Sequence, residues 1–232
     1  MKNKGSDNSS AHPAAQYDAQ IRNTIPYYDC FHEETIKLIK AMKIQPNVWI
    51  DTGCGTGRLV EKAALQFPKT RFVLADPSEE MIKQAKKRLS FCLKGRAEFL
   101  ECCGTMGLRK EKGLKADVVT AIQSHHYMSE KERAEATKAC HKILEQGGVY
   151  VTFENIRPFT RRGTKIGKEY WKGFQIASGK GKDAAEKHIK RFGVEYFPIT
   201  VEEHLALLRG TGFETVELFW YSYMQAGFYC IK

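Results

Sequence analysis

Residues 48–57, Val-Trp-Ile-Asp-Thr-Gly-Cys-Gly-Thr-Gly, place one acidic side chain and three glycines two residues apart directly after an apolar run. Such a run reads as a buried strand ending in a tight turn. Leu59, Val60, Ala63, Ala64 and Phe67 then keep the spacing of a helix packed back on a sheet. Glycines let a ligand approach the backbone closely, and a helix that starts there offers unpaired N–H groups to a polar or anionic moiety. That chemistry is nucleotide-type binding by Asp51, Gly53, Cys54, Gly55, Thr56 and Gly57. A dinucleotide fingerprint needs a third small residue at position 58; the chain has Arg58 there, which argues against a nicotinamide dinucleotide.

A second carboxylate follows at the spacing a ribose requires. Residues 71–75 read as a strand, and Asp76 at its end lies 19 positions beyond Gly57. Pro77 and Ser78 open a helix: Ser78 is a good N-cap, Glu79 and Glu80 favour its positive end, and Lys86, Lys87 and Arg88 favour its negative end. Proton transfer or acceptor orientation points to His125 and His126 at the end of a fourth strand, to Glu154 at the end of a fifth, and to His32 upstream. Arg157, just past Glu154, suits a substrate carboxylate or phosphate, or Glu154 itself.

The elements that position these residues alternate strand and helix. Further strands read at 98–102, 116–122, 149–153, 213–220 and 223–231, with helices over 129–145 and 202–208 and Gly147-Gly148 capping the first of these. Ligands of such sheets bind at the carboxyl ends of the strands, where Gln123 lies. The string Asp-x-Gly-x-Gly-x-Gly resembles motif I of the class I S-adenosylmethionine-dependent methyltransferases, and Ala-Asp-Pro-Ser-Glu-Glu-Met-Ile is similar to that family's second motif. The resemblance runs along most of the chain. It implies an α/β fold, a Rossmann-like doubly wound seven-stranded sheet with an antiparallel C-terminal hairpin. It also implies S-adenosylmethionine as cofactor, with Asp51 and the glycine turn at its amino acid end, Asp76 at the ribose, and Met81 and Cys102 near the adenine.

Two segments are additions to that sheet. Residues 15–43 form a helical cover, in which Tyr17, Arg22 and Tyr28 match cofactor- or substrate-facing positions of related enzymes; packing between helix and core is the alternative for each aromatic. Residues 156–200 form an insertion that, by the same resemblance, builds part of the acceptor pocket with Trp171 as an apolar anchor. Its glycines (Gly163, Gly167, Gly173, Gly179, Gly181) suggest flexibility. Eleven Lys and Arg face three acidic residues between 156 and 191, so most of the net +10 charge is local. A solvated basic surface is the plain reading of any one lysine, and attraction of an anionic substrate or RNA that of the cluster. The aromatics Phe219 to Tyr223, Phe228 and Tyr229 read as core and hairpin packing.

Length and composition agree with one domain over 15–232 behind a disordered tail at 1–14: 232 residues at 42% hydrophobic content bury one substantial core. No run approaches 18 apolar residues, and Met1–Ser10 lacks the apolar region of a secretory signal, so a cytoplasmic location is the default. Seven cysteines without a C-x-x-C pair support neither a disulfide framework nor a zinc site, and most suit buried positions. The function expected is methyl transfer to a small, perhaps anionic, acceptor, without metal or membrane. The alternatives are a tRNA wobble-uridine modification enzyme, which the Arg22-x-x-Ile-Pro-Tyr-Tyr element resembles, and a noncatalytic cofactor-binding protein.

Overall fold

The apolar run at Val48 is the central strand. In the computed structural model, which describes residue 10, residues 12–93 and residues 95–232, β1 (Val48–Thr52) lies between β2 (Arg71–Asp76) and β4 (Ala116–Ile122), parallel to both. With β3 (Ala97–Glu101), β5 (Leu144–Asn155), β6 (Thr215–Ser222) and β7 (Gln225–Ile231), the sheet runs β3-β2-β1-β4-β5-β7-β6. β7 is antiparallel to β5 and β6, as a C-terminal hairpin requires. Strand order reverses between β1 and β4, which opens a crevice at their carboxyl ends.

Alternation along the strands divides the core in two. Trp49, Phe72, Leu74, Val118 and Val151 point to a cluster with α2 (Tyr28–Ala41), α3 (Arg58–Gln66) and α4 (Glu79–Leu89). Ile50, Val73, Val119 and Tyr150 point the other way, toward α5 (Glu130–Ile143) and α8 (Val201–Thr211). Both faces are apolar, so the parallel strands read as continuous hydrophobic runs. Ahead of α2, the short α1 (Tyr17–Gln20) and its flanking turns wrap over the crevice.

Three expectations change. Gly147-Gly148 does not cap α5, which ends at Ile143; both glycines fall within β5, where pairing jumps from Ala116↔Leu144 to Val118↔Val149. The extra residues are accommodated by a bulge, and Gly147 takes its positive φ of 75°. The insertion is helical, not loose: α6 (Arg161–Ala177) holds three of its glycines, and α7 (Lys182–Lys190) follows. Of the cysteines, Cys54, Cys140 and Cys230 are buried, Cys102 is exposed, and the rest are partly covered. Of the tail at 1–14, residues 1–9 and 11 lie outside the described residues. No helix among the described residues is long and apolar enough to cross a membrane.

Candidate cofactor pocket

The elbow after β1 is fastened to the end of β2. Gly53 and Cys54 both donate backbone N–H groups to the Ala75 carbonyl, at 2.8 and 3.1 Å. At Gly53, φ is 66° and a Cβ would lie 2.5 Å from that of Ser124, so no other residue fits between the two loops. Asp76 spans the elbow: one carboxylate oxygen accepts from Gly55 N and the other from Ser78 N, both at 2.9 Å. Ser78 Oγ in turn caps α4 by accepting from Met81 N.

These groups enclose a cavity of about 430 Å³, a size suited to a drug-sized or nucleoside ligand. Asp51, Gly53–Thr56, Asp76, Pro77 and Met81 line one side, Gln123 and Ser124 the other, and Tyr17, Tyr28 and His32 reach in from the cover. Asp51 is held by a relay in which Trp49 Nε1 donates to Thr120 Oγ1, which donates to Asp51 Oδ1 at 2.7 Å. Burial raises its carboxyl from 3.8 to about 7; the Thr120 bond opposes the rise and the Asp76 charge adds to it. Burial likewise raises Tyr28 to about 12 and lowers His32 to about 3, so both are neutral at pH 7. Among the described residues, three buried polar atoms on the lining have no hydrogen-bond partner: Arg58 Nε, His32 Nδ1 and Ser124 Oγ. A zwitterionic amino acid moiety joined to a nucleoside would meet such groups, and Arg58 is the one Lys or Arg among the described lining residues.

Several expected site residues stand elsewhere. Arg22 is turned into the cover, where it makes two bonds to Asp29 (2.5 and 2.9 Å) and one to the Asp18 carbonyl. Asp18 is itself latched to the elbow, accepting from Thr56 Oγ1 at 2.8 Å and pairing with Arg88. Trp171 is fully buried behind the cover and donates from Nε1 to the Thr24 carbonyl at 2.7 Å. Arg157 pairs with Glu203 at the surface, and no residue of the insertion lines the cavity. Gly57 and Ser78 act structurally: a Cβ at Gly57 would press on Ala85 and Leu89 of α4. Cys102 faces solvent in a left-handed conformation.

His125, His126 and Glu154 sit together but beneath the pocket floor. Glu154 accepts from the backbone N–H groups of His125 (3.1 Å) and His126 (3.0 Å), from Thr152 Oγ1 (2.9 Å) and from His126 Nδ1 (2.6 Å). Burial is the largest single influence and would raise its carboxyl, but the His126 hydrogen bond and the neighbouring His126, His125 and His204 together outweigh it and hold it at about 2. His126 Nε2 lies 3.1 Å from Asn155 Nδ2, while the His125 ring spans Thr105 Oγ1 (3.1 Å) and the Tyr150 hydroxyl (3.2 Å). None of the three lines the cavity. Their work is to hold the turn that presents Gln123, Ser124, Tyr127 and Met128 to it. The sequence reading passed over Arg58, Ser124 and Tyr127. Arg58 carried a usable signal, a cation on the first residue of the helix after the elbow; Tyr127 carried none.

Comparison with known proteins agrees with this geometry. The sequence profile of the methyltransferase domain matches residues 50–150. Carboxy-S-adenosyl-L-methionine synthases are similar along the chain: that of Trichodesmium erythraeum is 22% identical over 87% of this chain and 79% of its own length, and that of Campylobacter curvus 24% over 87% and 84%. Among solved structures, a putative O-methyltransferase from Nostoc punctiforme superposes with a TM-score of 0.67 at 15% identity, covering 99% of this chain. An O-methyltransferase family protein from Burkholderia thailandensis gives 0.62 at 16%, covering 97%. The chain spans 65% of the length of each of these two structures. Residues 50–150 thus match a methyltransferase domain, and the glycine elbow, the carboxylate after β2 and the sheet order lie on a fold shared with solved O-methyltransferase structures.

Proposed function

We propose that the protein transfers the methyl group of S-adenosylmethionine to a small acceptor in the cavity under the cover. The observation that carries this reading is that the unmet polar atoms Arg58 Nε, His32 Nδ1 and Ser124 Oγ share one cavity with Asp51 and Asp76. When bound, the cofactor supplies an activated sulfonium methyl, whose S–C bond breaks as the acceptor–carbon bond forms. Asp76 serves the ribose, Asp51 the ammonium and Arg58 the carboxylate. Tyr17, Tyr28 and His32 exclude water and hold the acceptor at about 3–3.5 Å from the reacting carbon, which supplies most of the rate for an in-line displacement. With His125, His126 and Glu154 under the floor, no side chain in this reading acts as a strong base, so the acceptor is one whose nucleophile is free at neutral pH. Tyr17, Tyr28 and His32 are neutral at pH 7, and the basic insertion does not line the cavity, so its charge gives no reason for an anionic acceptor. A cytoplasmic location belongs to the same reading; the free cysteines suit a reducing compartment.

Calorimetry with S-adenosylmethionine and S-adenosylhomocysteine tests the assignment directly. Arg58→Ala is expected to weaken both by roughly 10- to 100-fold, the worth of one charge-assisted hydrogen bond of about 1.5–3 kcal/mol. Affinity should also follow pH. Only ionised Asp51 pairs with an ammonium, and its carboxyl titrates near 7, so binding releases a proton and tightens from pH 6 to 8 before levelling. A flat profile across that interval would remove Asp51 from the ammonium site.

A second reading, synthesis of a carboxylated cofactor, is favoured by the names of the relatives that match 87% of the chain and more. Mass spectrometry of nucleosides released from the purified protein separates the two, because that product is heavier than S-adenosylmethionine by one carboxyl group.

A further inference from the structure

Two tyrosines outside the buried core, one exposed and one partly covered, adopt a backbone conformation that their type disfavours. Tyr27, the residue before α2, has φ 55°, and Tyr223, the first residue of the two-residue β6–β7 turn, has φ 51°. Glycine or asparagine is the ordinary occupant of such positions, and bulky residues there are rare. Core burial does not offset the strain: Tyr27 is 57% exposed, and Tyr223 is only partly covered, outside the buried core. Strain kept at the surface points to a use for the side chain.

The two rings belong to one group. Tyr223 lies 6.3 Å from Tyr27 and stacks on Tyr170 at 4.2 Å with 13° between planes, while Trp220 closes on Tyr27 at 6.5 Å. Tyr170 is itself 61% exposed. Gly167 lets α6 press onto the hairpin, since a Cβ there would lie 2.8 Å from Met224 Sδ, and this approach carries Tyr170 over Tyr223. On the same helix Arg161, Arg162 and Lys165 are exposed and form no ion pair among the described residues; Arg162, Ile166 and Tyr170 follow one helical stripe. α6 carries five cations against Glu169 alone.

From this juxtaposition we infer that the face formed by Tyr27, Tyr170, Tyr223 and the start of α6 binds single-stranded RNA, bases on the rings and phosphates on Arg161, Arg162 and Lys165. Flat exposed rings beside unpaired cations are what unstacked bases on a polyanionic backbone require. A second copy of this chain is opposed by charge, because its matching face brings the same cations. The face lies outside the cavity and does not rest on the methyl-transfer reading, though it begins one residue from the lining at Tyr28.

The test is fluorescence anisotropy of the full chain with a labelled, unstructured RNA decamer, repeated across salt concentrations. Binding is expected at low salt with a log–log slope of about −2, three phosphate contacts at roughly −0.7 each. Arg161→Ala, Arg162→Ala and Lys165→Ala together should flatten that slope. Tyr27→Gly and Tyr223→Asn relieve the backbone, so each should keep or raise the melting temperature while weakening RNA by about 5- to 150-fold, the range for one stacked base. Tyr170→Ala should match them. Absence of RNA binding at low salt overturns the inference, as does binding indifferent to all three tyrosines. So does a dimer that these variants dissociate, or binding to phosphatidylserine vesicles in preference to RNA.

Discussion

Exchange of Asp76 for alanine is expected to weaken S-adenosylmethionine and S-adenosylhomocysteine alike, by at least about 100-fold in calorimetry. Two ribose hydroxyls donating to one carboxylate are worth about 1.5–3 kcal/mol each, and a loss of roughly 3 kcal/mol already corresponds to that factor. The same change leaves Gly55 N and Ser78 N without their acceptor, which loosens the elbow and the start of α4 together. Asp76→Asn keeps one acceptor oxygen and should lose about tenfold. Equal losses for the two ligands are required, because they share the adenosyl and amino acid ends. A variant that binds within threefold of the parent, or a parent that prefers a nicotinamide dinucleotide, ends the ribose assignment.

The second large effect is on stability. Glu154→Ala should cost about 3–5 kcal/mol in chemical denaturation, the range for removing one member of a buried charged network. The carboxylate is 1% exposed, and its loss orphans the N–H groups of His125 and His126 while leaving the buried Arg133 without the nearby negative charge. Thr152→Val, which removes one neutral donor from the same oxygen, should cost only about 1 kcal/mol. The pH dependence has a definite sign. Held at about 2 against an ordinary 4.5, Glu154 stabilises the fold fully above 4.5, and that contribution is lost as pH falls from 4.5 through 2. If Glu154→Ala unfolds at the parent's denaturant midpoint, the turn at 123–128 is held by something else. If Glu154 acts instead as a general base, the alanine variant will lose turnover while keeping stability.

The alternation of strand and helix was legible in the sequence, while the antiparallel hairpin came from the family resemblance. The central parallel strands β1, β2 and β4 are apolar on both faces, α3 and α4 each have one apolar stripe, and Ser78 and the Gly-rich elbow mark boundaries with local chemistry, so no long-range contact is needed to read them. One wall of the cavity was legible for the same reason: Asp51, Gly53, Gly55 and Asp76 are short-range consequences of where β1 and β2 end. Which side chains turn inward elsewhere was not. Arg22 and Arg58 are both cations beside aromatic or glycine motifs, and only the position of Asp29 and Asp18 around the first sends it into the cover. His125 and Glu154 are 29 residues apart and meet because β4 and β5 are neighbours; whether they face the cavity or lie under it depends on the path of the turn between β4 and α5, a matter of a few ångströms. Local sequence determined the central strands, the Ser78 cap and the elbow, since those depend on backbone preference and on burial repeating every two or every 3.6 residues; the start of β5, with Gly147 and Gly148, was fixed by its pairing with β4. Tertiary packing alone decided the direction of each long polar side chain, because desolvation and the nearest opposite charge, both set by distant segments, outweigh any preference of the residue itself.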